Sequence, residues 1–151
     1  MSRAARFAAV YALLAGSHEV GDYIVQSDTD AKGKGKPGPE GTAACLRHVT
    51  TYTLAQAAAL LAANRLLDLR LRPGRAAAAL ALSAATHYAI DRCAGHWADE
   101  SDHAPALVRA AHATGKTEWL VKDPGAGLLL DQALHKGCIT LAAALAASGR
   151  E

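Results

Sequence analysis

The sequence predicts an all-α fold, an antiparallel up-down four-helix bundle in a single domain with a polar loop or short helix between the third and fourth helices. Three observations predict it. Hydrophobic residues make up 51% of the chain but aromatics only 5%. The apolar mass is alanine and leucine, the strongest helix formers, and β-branched residues are too sparse to furnish a sheet. Segments rich in glycine, proline and polar residues divide the chain into four long stretches, and 151 residues suit one sizeable core.

The first helix is expected over residues 4–26. Arg3 and Arg6 ahead of an apolar run resemble the start of a signal peptide, but His18, Glu19 and Asp22 stand where a cleavage site would fall. The stretch therefore reads as a retained helix. Residues 27–41 carry Lys32, Lys34 and Lys36 between glycines and then Pro37 and Pro39, a composition that stops a helix and favours a mobile loop. The second helix is expected over 42–71, with Pro73-Gly74 making a tight connection to the third, over 75–94. A polar segment, 96–124, has room for a short helix around 105–113 and places His96, His103 and His112 at the surface. The fourth helix is expected over 125–148. No internal repeat is visible.

The totals narrow the function classes. A net charge of +2, without a basic stripe or interleaved aromatics, argues against a nucleic-acid partner. Cys45, Cys93 and Cys138 are far apart, odd in number and form no CxxC, so a disulfide framework is not expected and a reducing compartment fits. The run Thr114-Gly115-Lys116-Thr117 lacks the phosphate-loop glycine, since Ala110 stands five positions before Gly115.

Charge is distributed unevenly. No Asp, Glu, Lys or Arg occurs at 7–18, 48–64, 76–90 or 137–149. A helix that lacks charge all the way round is normally buried, in lipid or in a large assembly. The longest of these stretches spans roughly 26 Å, slightly short of a ~30 Å hydrocarbon core, and Gln56, Asn64, His87 and Asp131 would be costly facing lipid. The expectation is a small bundle in a bacterial-type inner membrane, with a soluble, cytoplasmic alanine-rich bundle as the alternative. Arg3, Arg6, Arg70, Arg72 and Arg75 gather at one end, which the positive-inside tendency would place in the cytoplasm.

The residues that carry chemistry recur in pairs. His18 and Asp22, His87 and Asp91, and Asp131 and His135 are each four residues apart, on one helical face about a turn from each other. This is how HExxH presents two ligands to one metal. His48 opens the second helix. Up-down topology brings all seven to the same end of the bundle, where buried charge is expensive unless paired or metal-bound. The expected ligands are therefore His18, Asp22, His48, His87, Asp91, Asp131 and His135. The competing reading is a buried His–Asp hydrogen-bond network that only fixes helix register. Mixed imidazole and carboxylate donors suit a divalent transition metal, zinc first, manganese or iron as alternatives. Seven donors exceed the four of one tetrahedral zinc, so either two ions share carboxylates or some residues orient others. Asp22 or Asp91 is then the candidate general base. Gln26 and Gln132 are amide donors suited to substrate oxygens, although each taken alone reads as an ordinary helix-surface residue. The Lys32/Lys34/Lys36 loop suits an anionic small molecule or a lipid head group.

The ordered motifs HEVGDYIVQSD, a lysine-bearing loop, RHVTTYT, HYAID and LLLDQALH resemble the bacterial domain of unknown function 3307 family, whose members are small, multi-helix, probable membrane proteins. The resemblance covers most of the chain apart from 96–124. It implies that His18, Asp22, Gln26, Asp28, His48, Tyr52, His87, Asp91, Asp131, Gln132 and His135 are the functional positions, and it implies no particular activity. In style only, the layout is also similar to helical zinc-dependent phospholipases. Together these point to a metal-dependent hydrolase, with a phosphoester as substrate and Gln26, Asp28, Lys32, Tyr52 and Gln132 contacting it. A non-catalytic metal-stabilised protein and a metal-free scaffold are the competing classes.

Overall fold

The computed structural model describes residues 1–148. It is all-helical, with no strand among the described residues. Helix α1 (Arg3–Val20) runs into a π-helical turn, Gly21–Val25. A short α2 (Asp28–Gly33) precedes the longest helix, α3 (Gly38–Leu66). Helix α4 (Pro73–Asp91) follows, then α5 (Ala106–Ala111), a kinked link His112–Lys116, α6 (Thr117–Lys122) and α7 (Ala126–Ala147).

The long helices α1, α3, α4 and α7 set the architecture. α1 packs on α3 and α7, and α4 packs on the same two. Their common core is small-residue rich: Val10 and Leu14 of α1, Leu60 and Ala63 of α3, Ala79 of α4, and Ile139, Ala142, Ala143 and Ala146 of α7. Alanine at a contact lets helix backbones approach closely, but it buries little area, so leucine and isoleucine supply most of the hydrophobic stabilisation. A second cluster joins Ile90, Cys93, Trp97, Ala104, Val108, Leu120 and Ala126, and fixes segment 96–124 beside the start of α7.

Several boundaries differ from the sequence expectation. α3 begins four residues early, because Pro39 occupies the first turn, where its missing N–H is not needed. It also ends early, at Leu66 rather than 71. Asp68 and Arg70 adopt positive φ (47° and 53°), which no helix tolerates. Asn64 holds the exit by accepting a hydrogen bond from the Leu71 N–H (2.9 Å). Beyond Leu66 the chain is not helix: Leu67 is exposed, whereas Leu69 and Leu71 are buried, and the Leu69 carbonyl accepts from buried Arg6 Nε (2.9 Å). The expected loop 27–41 contains α2, capped by Ser27 Oγ on the Asp30 N–H. Segment 96–124 holds two short helices, since Gly115 (φ 81°) breaks what would otherwise be one.

The helix exteriors retain the pattern seen in the sequence. Leu54, Leu61 and Leu141 are each 60% exposed or more, and no charged side chain lies on α3 between Arg47 and Arg65. One helix, Ala126–Ala147, is long and apolar enough to cross a bilayer by length and composition. All three cysteines are free.

Candidate metal centre

The four long helices bring their histidines to one place. His18 lies in the last turn of α1, His48 about three turns into α3, His87 one turn before the end of α4, and His135 between two and three turns into α7. All four are at most 2% exposed. The π turn after α1 positions Asp22, and such turns recur at functional sites. Gly21 permits this, because a Cβ there would come within 2.9 Å of the Tyr52 ring.

The innermost donors crowd around His48 and His87. Nε2 of His48 and Nε2 of His87 are 2.9 Å apart. Asp22 Oδ1 lies 3.3 Å from the first and 3.4 Å from the second. Asp91 Oδ2 lies 3.3 Å from His48 and 3.2 Å from His87. A tetrahedral ion with bonds of about 2.0–2.1 Å requires donor separations of about 3.3 Å. The five separations above approach that value, and Asp22, His48 and His87 form one group whose donor atoms all lie within 4.8 Å of one another, as do Asp91, Asp131 and His135. Hydrogen bonds alone serve the set poorly. Asp22 Oδ1 and Asp91 Oδ2 make no directed hydrogen bond, nor do His48 Nδ1 and His87 Nδ1, although buried polar atoms are normally paired.

A second group adjoins the first through Asp91. His135 Nε2 lies 3.4 Å from Asp131 Oδ2 and 3.6 Å from Asp91 Oδ1. His18 closes the gap between the two, with its ring 5.0 Å from that of His135 and 5.5 Å from that of His87. Its Nδ1 is 3.5 Å from Asp22 Oδ2. The seven residues expected as ligands are thus all brought together.

The electrostatics favour ionised carboxylates. Burial pushes the Asp91 carboxyl up, but the His135 and His87 imidazoles and the Lys34 ammonium outweigh it and hold the group well below the usual carboxylate range. Asp22 behaves alike: burial raises it, and His48, with the nearby charges of His87, His18 and Lys34, brings it below its ordinary value. Both are ready to coordinate at neutral pH.

Lys34 is the residue the sequence reading missed. Its Nζ lies 2.8 Å from Asp91 Oδ1, and its side chain is only 13% exposed. Burial lowers its basicity, and the facing charges of Asp91, Asp22 and Asp131 raise it above the ordinary lysine value, so it stays charged. The segment that carries it is clamped rather than mobile. Arg92 Nη1 donates to the Lys34 carbonyl (2.6 Å), and the Gly35 carbonyl is 3.0 Å from His96 Nε2. Gly35 passes so close to Ala94 that a Cβ would collide with its carbonyl oxygen. Sequence showed three lysines of equal standing, and only this packing distinguishes them.

A cavity of about 300 Å³ opens beside the donors, with Asp22, Lys34, Asp131, Gln26, Gln132 and Trp97 among its lining. Two of its donors are unsatisfied: Gln26 Nε2 and Trp97 Nε1 are buried without a hydrogen-bond partner. Gln26 and Gln132 both line this cavity. Asp28 and Lys32 do not: both are exposed on α2 and neither lines this cavity. Tyr52 does not either. It is 1% exposed, stacked on His87 (ring centroids 3.8 Å apart) and hydrogen-bonded to Ser83 and Gln56. It supports the His87 ring from beneath. Of the histidines expected at the surface, only His103 is exposed. His96 ties to Gly35, while His112 bridges the Trp97 carbonyl and Thr117. The chain matches no known family model, no curated protein and no solved structure.

Proposed function

We propose that this protein is a metal-dependent hydrolase of a phosphoester, built on an antiparallel up-down bundle of α1, α3, α4 and α7. The observation that carries the reading is the juxtaposition of a close, buried His/Asp donor set with an open cavity lined by Asp22, Lys34, Gln26 and Trp97. Asp22, His48, His87 and Asp91 would hold the ion, zinc first by their mixed imidazole and carboxylate chemistry. When bound, the ion supplies Lewis acidity and an activated water. Lys34, Gln26 and Trp97 would hold the oxygens of an anionic substrate against it. Asp131, which lines the cavity with a partly exposed side chain, is placed to accept a proton. The closed ring of contacts, α1 on α3, α3 on α4, α4 on α7 and α7 on α1, supports the bundle topology. The motif order supports kinship with the domain of unknown function 3307 family. The charge-free outer faces at 49–64, 76–86 and 137–147 support a lipid-facing placement for the parts of the helices beyond the site.

One observation favours a second reading. Asp22, His48, His87 and Asp91 would together fill all four positions of a tetrahedral ion, and a closed ligand set is the mark of a structural ion. The two readings separate with cobalt as the reporter. In the catalytic reading, inorganic phosphate shifts the visible spectrum of the cobalt-loaded protein, and the zinc form hydrolyses p-nitrophenyl phosphate or its diester. A spectrum unmoved by phosphate, with neither ester hydrolysed, assigns the site a structural role and overturns the hydrolase.

A further inference from the structure

The donors exceed the needs of one ion, and Asp91 presents a different oxygen to each group. Oδ2 faces His48 and His87, whereas Oδ1 faces His135 and Lys34. Such a carboxylate is what bridges two ions in a binuclear hydrolase. Here the second position has an occupant. Lys34 Nζ lies 2.8 Å from Asp91 Oδ1, closer than the 3.6 Å that separates that oxygen from His135 Nε2.

Charge counting agrees with this geometry. Asp22, Asp91 and Asp131 bring three negative charges to the site, and Lys34 brings one positive charge. The remaining two negative charges are cancelled by one divalent ion. A second divalent ion added beside Lys34 would leave two uncompensated positive charges around a fully buried Asp91 and four buried histidines, which is costly. Lys34 is also held in place from outside. Arg92 fixes its carbonyl, and Gly35 and Gly41 are packed against Ala94 and the Lys36 carbonyl with no room for a side chain. An ammonium held at this point and exposed to the cavity performs the service of a second ion, neutralising a phosphoryl oxygen without a second metal.

Resting on the metal-site reading above, we propose that the centre is mononuclear, with Lys34 as a resident cation in the second-metal position formed by Asp91, Asp131 and His135. The lysine is thus both the block to a second ion and the partner of the first.

The test counts ions. The full-length chain, purified in detergent micelles, is dialysed against excess zinc and the bound metal is measured per chain. Wild type is expected to hold one zinc, and Lys34→Arg, which keeps the charge, also one. Lys34→Met frees Asp91 Oδ1 and is expected to take up a second zinc. Adding Asp131→Asn to Lys34→Met is expected to return the count to one. Circular dichroism checks that each variant is folded, and Lys34→Gln replaces Lys34→Met if that variant is not. Two tightly held ions in wild type overturn the proposal whatever the variants do. So does a count of one in both folded neutral variants at Lys34. A wild-type count of zero overturns the metal-site reading itself, a result distinct from either.

Discussion

At the end of the long helices that carries His48 and His87, charge is inside: Asp91 is fully buried and three of the neighbouring histidines are within 1% of it. Through the middle of the same helices charge is neither inside nor outside. The interior holds Gln56, Tyr52 and Ser83 in a neutral hydrogen-bonded chain, and the exterior presents Leu54, Leu61 and Leu141. Both regions are built from the same alanine-rich helix, so composition does not distinguish them. What differs is the service each surface needs. Buried carboxylates and imidazoles require a cation to compensate them. A charge-free exterior suits the lipid placement proposed above.

The largest effect should follow from striking the charged end. His87→Ala removes a donor from the proposed ligand set and the ring that rests on Tyr52. Loss of an outer-shell partner alone costs about 10–100-fold in metal affinity, so a lost direct donor should cost about a hundredfold or more. Asp91→Asn should do the same, with helix content retained, as measured by competition with a chelating dye. His135→Ala should also reduce metal content, because it withdraws a donor that contacts Asp91 and Asp131. Retention of wild-type zinc affinity by His87→Ala would remove the charged end from the comparison.

The next largest effect tests the exterior. Leu54→Lys and Leu141→Lys place a charge on the outer face, where both leucines are 64% exposed. If lipid covers that face, each substitution should cost about 2.5–3.5 kcal/mol at mid-helix, and the protein should fractionate with membranes and need detergent. If water covers it, the cost should stay within about 0.5 kcal/mol. Unchanged thermal stability in both variants, together with clean extraction as a monomer in low-salt buffer, would contradict lipid contact.

A smaller effect lies between the two regions. Tyr52→Phe keeps the ring against His87 but deletes the hydroxyl that joins Ser83 to Gln56. Stranding those buried partners should cost about 1–3 kcal/mol, while zinc affinity should move only a few-fold. A large loss of zinc affinity would mean that the hydroxyl reaches the centre itself. The smallest expected effect is none: His103→Ala, at an exposed position, should leave both metal content and stability unchanged.

The legibility of these regions in the sequence was unequal for physical reasons. Helix class and the four long stretches followed from alanine, leucine and the breakers between them, because propensity and proline act locally. The convergence of His18, Asp22, His48, His87, Asp91, Asp131 and His135 was readable from spacing, since residues four apart share a helix face. The end of α3 was not. Leu67, Leu69 and Leu71 continue an apolar pattern, and only the left-handed residues Asp68 and Arg70 show that the chain has left the helix. Lys34 was hidden for another reason. Its alternation with Lys32 and Lys36 is uniform in sequence, and long-range contacts at Arg92, Ala94 and His96 decide which lysine turns inward. Tyr52 and Trp97 also depend on packing between distant segments, which no local pattern encodes.

The central claim is that Asp22, His48, His87 and Asp91 enclose a transition-metal ion. It is tested most directly by zinc-edge X-ray absorption on the zinc-loaded protein, with anomalous diffraction to place the ion. The account predicts an ion among these four residues, with two histidine nitrogens at about 2.0–2.1 Å and carboxylate oxygens at about 2.0–2.2 Å. A protein that binds no zinc at micromolar concentration, or that binds it away from His48 and His87, would contradict the account.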